Sequence, residues 1–259
     1  MHQGLAELQM YVAPRRVSDA QQRWLASILE RLSVTRLQAS LDLEMLWLSD
    51  DLLLAQTCGY PLMTRLRGRV QVVGRPVYQL PHSGDGSHCS LILARADDPR
   101  RELIDFRGSH GLINNEDSNS GMNLFRHTLA PLQRDGRFFG RVSITGGHRD
   151  SLRWLKEGRG DLAAVDSVTF DYLARDDSEE IAGLKIITQT ALSPCLPYIT
   201  RPGVDVESLR GAMNETLREM PEVARVLAIS EVVAAREDDY RVLLDYEQHA
   251  KDFGLPMLL

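Results

Sequence analysis

The run Leu52–Ala55 is the first constraint on the fold. It is wholly apolar, too short for a helix, and stops at Gln56-Thr57-Cys58-Gly59-Tyr60-Pro61. Such a run reads as a strand covered on both faces, as in the parallel sheets of α/β proteins. A second run of this kind, Leu162–Val165, ends at Asp166. Helical patterns lie between the strands. Trp24, Leu25, Ile28, Leu29 and Leu32 form one apolar stripe, and Met122, Phe125, Leu129 and Leu132 form another. Strands alternating with amphipathic helices imply α/β with a largely parallel sheet. A chain of 259 residues holds one large domain or two modest lobes.

Composition removes several classes. A net charge of −6 argues against nucleic acid as the main partner. The arginines Arg65, Arg67, Arg69 and Arg75 read as a solvated face. No apolar run approaches the roughly 20 residues of a membrane span. The N-terminal stretch has no basic segment followed by an apolar one, so no export signal is visible. The expectation is a cytoplasmic protein or one whose signal has been removed. Cys58, Cys89 and Cys195 are odd in number and lack CxxC spacing, and the histidines show no HxH or HExxH pattern. Neither a disulfide framework, a metal site nor a cofactor is expected.

In open α/β sheets, ligands lie beyond the carboxyl ends of the strands. The turns there supply the candidate residues. After Leu52–Ala55, Gln56, Thr57 and Tyr60 offer hydrogen bonds; equally, Thr57 reads as a helix cap and Tyr60 as packing. The stretch Asn114–Thr128 reads as a strand end, a small polar turn and a helix. Ser118, Asn119, Ser120 and Gly121 are either an ordinary N-cap or an anion site, because free N–H groups and the helix dipole both favour negative charge. A second such turn, Gly146–Ser151, projects His148, either surface decoration or an anion donor. Asp166 either caps the following helix or accepts from a ligand hydroxyl or amine.

The remaining chain supplies the frame. A first strand is expected over Leu5–Ala13, then a helix opened by Ser18 with Gln21 completing a capping box. His82–His88 reads as a flexible surface turn. Ser90–Ala96 and Leu184–Thr190 read as strands that act as connectors into and out of the middle section rather than as interior members of a sheet. Asp205 caps a helix and Pro221 starts another; the last helix ends at Gly254. The lobes are then 1–92 and 186–259 for the first, with the C-terminal helices, and 93–185 for the second.

Five motifs in order, DLLLAQTCGYPL, NNEDSNSGMN, ITGGHRDSL, DLAAVDSVTF and TALSPCLPYIT, resemble the phosphate/phosphite/phosphonate substrate-binding family of ABC transporters. The resemblance covers roughly Leu5 to Leu217. It implies a two-lobed type 2 periplasmic-binding fold with a ligand cleft between lobes and two crossing hinge strands. It also implies a non-enzymatic receptor for a small oxyanion, a periplasmic location and an ABC permease as partner. By the same resemblance, Ser118, Asn119 and Ser120 hold the anion, His148 and Asp166 line the site, and Tyr60 falls on the opposite wall with Gln56 and Thr57. Two rival readings share the fold: a cytoplasmic enzyme of cofactor biosynthesis, and an anion-sensing subunit. Against the enzyme, no convincing nucleophile–base pair is visible, and Cys58 reads as a small packed residue.

Overall fold

The structure is a computed structural model and describes residues 2–258. It forms two compact units. The first comprises the residues up to Ser87 with Pro194–Tyr240, and the second His88–Ser193 with the residues from Arg241.

The first unit is built on a six-stranded sheet. Its order is Ile229–Val233, Gln71–Tyr78, Tyr198–Thr200, Leu52–Gln56, His2–Glu7, Val34–Arg36. Leu52–Gln56 is almost wholly buried, as its unbroken apolar run requires. His2–Glu7 pairs in parallel with it and with Val34–Arg36, while the other pairings are antiparallel. The helix Arg15–Arg31 buries Trp24, Leu25, Ile28 and Leu29. It starts at Arg15 after Pro14, not at Ser18, because the fixed φ of proline suits a helix entry. The first strand is likewise shorter than Leu5–Ala13: it ends at Glu7, where its partners run out.

The second unit has a five-stranded sheet in the order Leu184–Gln189, Ser90–Arg95, Leu162–Asp166, His110–Ile113, Arg141–Ile144. The last three run parallel, and Ser90–Arg95 is antiparallel to both its neighbours. Both sheets are therefore mixed rather than largely parallel. Ser90–Arg95 and Leu184–Gln189 are strands of this sheet, with Ser90–Arg95 an interior member, rather than links between units, and the chain passes between units at Ser87/His88, Ser193/Pro194 and Tyr240/Arg241. The C-terminal helix Val242–Asp252 belongs to the second unit, not to the first lobe as expected from sequence. Ala250, Leu255 and Leu258 join a core built from Phe106, Ile113, Phe125, Leu129, Phe138 and Phe139. Burial of that apolar surface decides where the tail goes.

An acid-sensitive clamp joins the ends of two adjacent interior strands of this sheet, Ser90–Arg95 and Leu162–Asp166. Asp98, 5 % exposed, accepts from Arg100 Nε at 2.9 Å and Nη2 at 2.6 Å, and Arg100 Nη2 also reaches Asp161 Oδ1 at 2.7 Å. The Arg100 hydrogen bond, outweighing burial, holds the Asp98 carboxyl down to about 2. The folded carboxyl is thus more acidic than the unfolded one. Its contribution is present above pH 4 and is lost as pH falls toward 2. We expect Asp98→Asn to cost roughly 2 kcal/mol at pH 7, with the gap to wild type closing between pH 4 and 2 in denaturant titrations. A constant gap over that range sinks the assignment.

Candidate functional site

The second unit gathers the polar turns that follow its parallel strands. His110–Ile113 runs into Asn114 and a tight π-type turn over Asn119–Asn123, which passes into the helix Leu124–Leu129. Such wide turns leave backbone groups out of the ordinary helical ladder and occur often at functional sites. Ser118 caps the turn, its Oγ accepting from Gly121 N at 3.0 Å. Ser90 Oγ donates to Ser120 O at 2.9 Å and pins the turn to the antiparallel strand. Gly121 is needed for close approach: a Cβ there would lie 1.9 Å from Asn114 Oδ1 and 3.2 Å from His148 Cε1.

The expected residues fall into distinct roles. Asn119 is 1 % exposed and knits the interior, donating to Ser193 Oγ at 2.9 Å and accepting from Asn123 Nδ2 at 3.2 Å. Ser120 Oγ lies 2.8 Å from His148 Nε2. His148 opens the helix His148–Lys156 after Gly147, which supplies no side-chain cap. His148 Nδ1 is buried and has no hydrogen-bond partner among the described residues. Arg149, beside it, pairs with Glu180. Asp166 closes the strand Leu162–Asp166 and caps the next helix, with Oδ1 accepting from Val168 N at 2.8 Å and Thr169 N at 3.3 Å. Ser118, Asn119, Ser120, His148 and Asp166 thus lie within one unit.

Gln56, Thr57 and Tyr60 belong to the other unit. Gln56 Nε2 donates to Leu196 O at 3.1 Å, and Thr57 Oγ1 to Cys58 O at 3.2 Å. Both side chains are buried and engaged within their own unit. Cys58, not Thr57, holds the cap position of the helix Gly59–Thr64, without a side-chain cap hydrogen bond, and Tyr60 is half-buried in its first turn.

Sequence reading missed His88. His82–His88 is not a loose surface turn at its end: His88 is fully buried, with Nδ1 3.1 Å from Asp166 Oδ2. The available signal was the apolar run that follows, since a histidine leading straight into Ser90–Ala94 enters a sheet. Its position beside Asp166 comes from the antiparallel register that sets Ser90 opposite Asp166.

Burial is the main cause that lowers the His148 pKa; Asp166 opposes it and His88 adds to it. Buried in this way, His148 is neutral near pH 7. Its neutral form accepts Ser120 O–H at Nε2 and keeps a proton on Nδ1, a tautomer inferred from the hydrogen-bond network. For Asp166, burial alone would raise the pKa, but His88, then His148 and the Thr169 N–H, outweigh it and the carboxyl is lowered. The sign for His148 follows from linkage. The unfolded histidine binds a proton near pH 6.5 that the folded one resists, so stability falls as pH drops below 6.5. Thermal melts from pH 7.5 to 5 should therefore fall more steeply for wild type than for His148→Asn. Parallel slopes contradict the assignment.

Among the described residues, no group of three or more His, Cys, Asp or Glu side chains is placed to hold a metal ion, and no helix is long and apolar enough to cross a membrane.

The comparisons agree with this architecture. The chain is similar to a binding protein component of an ABC phosphonate transporter from Pseudomonas aeruginosa, with TM-score 0.77, 16 % identity, and 97 % of this chain and 87 % of that one covered. It is similar to PhnD1 from Prochlorococcus marinus, solved with methylphosphonate, with TM-score 0.72, 12 % identity and coverages of 97 % and 98 %. It also resembles the alkanesulfonate-binding protein SsuA from Xanthomonas axonopodis pv. citri, bound to MOPS, with TM-score 0.66, 14 % identity and coverages of 100 % and 96 %. At such identities these likenesses show the fold, a two-lobed periplasmic-binding type. No protein of curated function matches in sequence. The family evidence is separate: a sequence model described as "ABC transporter, phosphonate, periplasmic substrate-binding protein" matches residues 49–240. With most of its length so matched, the chain belongs to the phosphonate substrate-binding protein family of ABC transporters.

Proposed function

We propose that this chain is the receptor of an ABC-type uptake system for a small tetrahedral oxyanion: phosphonate, phosphite, phosphate or a related organic anion. One observation carries the reading. Ser120 Oγ holds His148 Nε2 at 2.8 Å, while His148 Nδ1 is buried with no hydrogen-bond partner among the described residues. A neutral imidazole held in that way presents Nδ1–H to an acceptor, and an anion oxygen is the natural one. The N-terminus of the His148–Lys156 helix, with no side-chain cap, adds donors and dipole on the same side. An acidic chain can still bind an anion in this manner, because donors and dipoles act over a few ångströms. The solved relatives that hold methylphosphonate and MOPS support the ligand class.

Calorimetry on protein stripped of ligand tests it, using methylphosphonate, phosphite, phosphate and methanesulfonate. Each charge-assisted hydrogen bond contributes roughly 1.5–3 kcal/mol, so a few give micromolar binding. Absence of heat with all four overturns the reading.

A serine–histidine contact at this distance also invites a catalytic reading. Binding without turnover is favoured because Asp166 lies against His88 rather than behind His148, and among the described residues no acid bonds the imidazole to orient it as a base. We expect bound methylphosphonate to be recovered unchanged by phosphorus NMR. We place the mature protein in the periplasm, docking on a permease. Cell fractionation distinguishes this from a cytoplasmic enzyme or sensor.

A further inference from the structure

His88 and Asp166 form a buried pair that the oxyanion reading above does not use. Both His88 and Asp166 are almost fully buried. His88 Nδ1 lies 3.1 Å from Asp166 Oδ2, and Nε2 has no partner among the described residues. A buried polar nitrogen left unmatched costs free energy, and each such group calls for an explanation. Asp166 is already engaged, with Oδ1 on the Val168 and Thr169 N–H groups and Oδ2 facing His88. The charges that act on Asp166 are those of His88 and His148. Cys89, next to His88 in the chain, is pushed up to about 11 by burial, and Asp166 and Asp171 add to that rise.

A bare carboxylate in this position would repel an incoming anion. The His88 ring engages that carboxylate through Nδ1 and leaves Nε2 as the ring nitrogen available to a ligand oxygen. We propose that His88 is a second imidazole donor of the oxyanion site, oriented by Asp166 at Nδ1 so that Nε2 serves the ligand, and that the site therefore selects anions lacking an ammonium group. The carboxylate that could receive a ligand cation is occupied, so Asp166 is a positioning residue. The proposal rests on the oxyanion reading of the same site.

The test compares ethylphosphonate with 2-aminoethylphosphonate by calorimetry. Wild type should bind ethylphosphonate at least roughly tenfold more tightly, the value of one unmatched buried charge. His88→Gln should weaken ethylphosphonate binding roughly ten- to a hundredfold. Asp166→Asn keeps an oxygen for the helix cap and should also weaken it, although it removes a negative charge near an anion. Tighter binding by Asp166→Asn, or unchanged binding by a folded His88→Gln, overturns the proposal. So does a wild-type preference for the ammonium ligand that disappears in Asp166→Asn. If His88→Gln does not fold, the wild-type preference and Asp166→Asn decide. If wild type binds neither phosphonate, the oxyanion reading itself has failed, a result separate from all of these.

Discussion

Ser120→Asp is expected to abolish oxyanion binding while leaving the protein folded. Ser120 is 4 % exposed, and its Oγ is 2.8 Å from His148 Nε2. An aspartate there places a carboxylate against the imidazole that is to serve the ligand. It competes with the ligand for His148 and repels it. Two like charges about 4 Å apart interact by roughly 4 kcal/mol at an intermediate effective dielectric, about a thousandfold in affinity. The fold should survive, because the turn is anchored elsewhere. Ser118 caps it through Gly121 N, Ser90 ties it through Ser120 O, and Asn119 ties it to Ser193. Ser120→Ala is the control. It removes one hydroxyl and should weaken binding only roughly tenfold. Calorimetry with methylphosphonate, alongside melting temperatures, separates the cases. Undiminished binding by Ser120→Asp reduces the turn to a helix cap.

Local patterns were legible where one segment determines its own surroundings. The run Leu52–Ala55 announced a buried strand, and the stripe from Trp24 to Leu29 announced a buried helix face. Asp205 was readable as a cap because its role involves only Glu207 and Ser208, two and three residues on. Ser118 was readable for the same reason. What failed depends on pairings between distant segments. Ser90–Arg95 was readable as a strand, but whether it links two lobes or lies inside a sheet is decided by its antiparallel partners Leu162–Asp166 and Leu184–Gln189. That register also brings His88 to Asp166, so misreading the strand's place hid the histidine. The C-terminal helix followed the same logic. Its apolar face fits a core in either unit, and contacts with Phe125 and its neighbours, far off in sequence, settle the matter. Asn119 shows the converse. The family resemblance implies a ligand donor there, and the sequence does not show that its carboxamide also bonds Ser193 and Asn123. Single-sequence reasoning sees which groups could donate but not which are already engaged.

Trp24→Ala is expected to be the most destabilising single change in the first unit. Trp24 is fully buried on the helix Arg15–Arg31. Its ring stands edge-on to Tyr198 with centroids 5.8 Å apart, and its Nε1 donates to Thr216 Oγ1 at 3.0 Å. One side chain therefore joins the first helix, the strand Tyr198–Thr200 and the helix Val206–Glu219. Truncation removes the apolar contacts and leaves a cavity that neighbours fill only in part, at a cost of about 3–5 kcal/mol. A domain stable by roughly 5–15 kcal/mol loses a large share of its margin. Trp24→Phe separates packing from hydrogen bonding. It keeps most of the ring, gives up the bond to Thr216, and should cost about 1–2 kcal/mol. Thr216 is not stranded by that change, since its hydroxyl still bonds within its own helix to Ala212 O at 2.9 Å. Denaturant midpoints of the two variants give the partition. Equal losses would mean that the hydrogen bond, rather than the buried ring, holds these elements together. A much larger loss in Trp24→Ala assigns the joint to packing, as the close edge-on contact with Tyr198 requires.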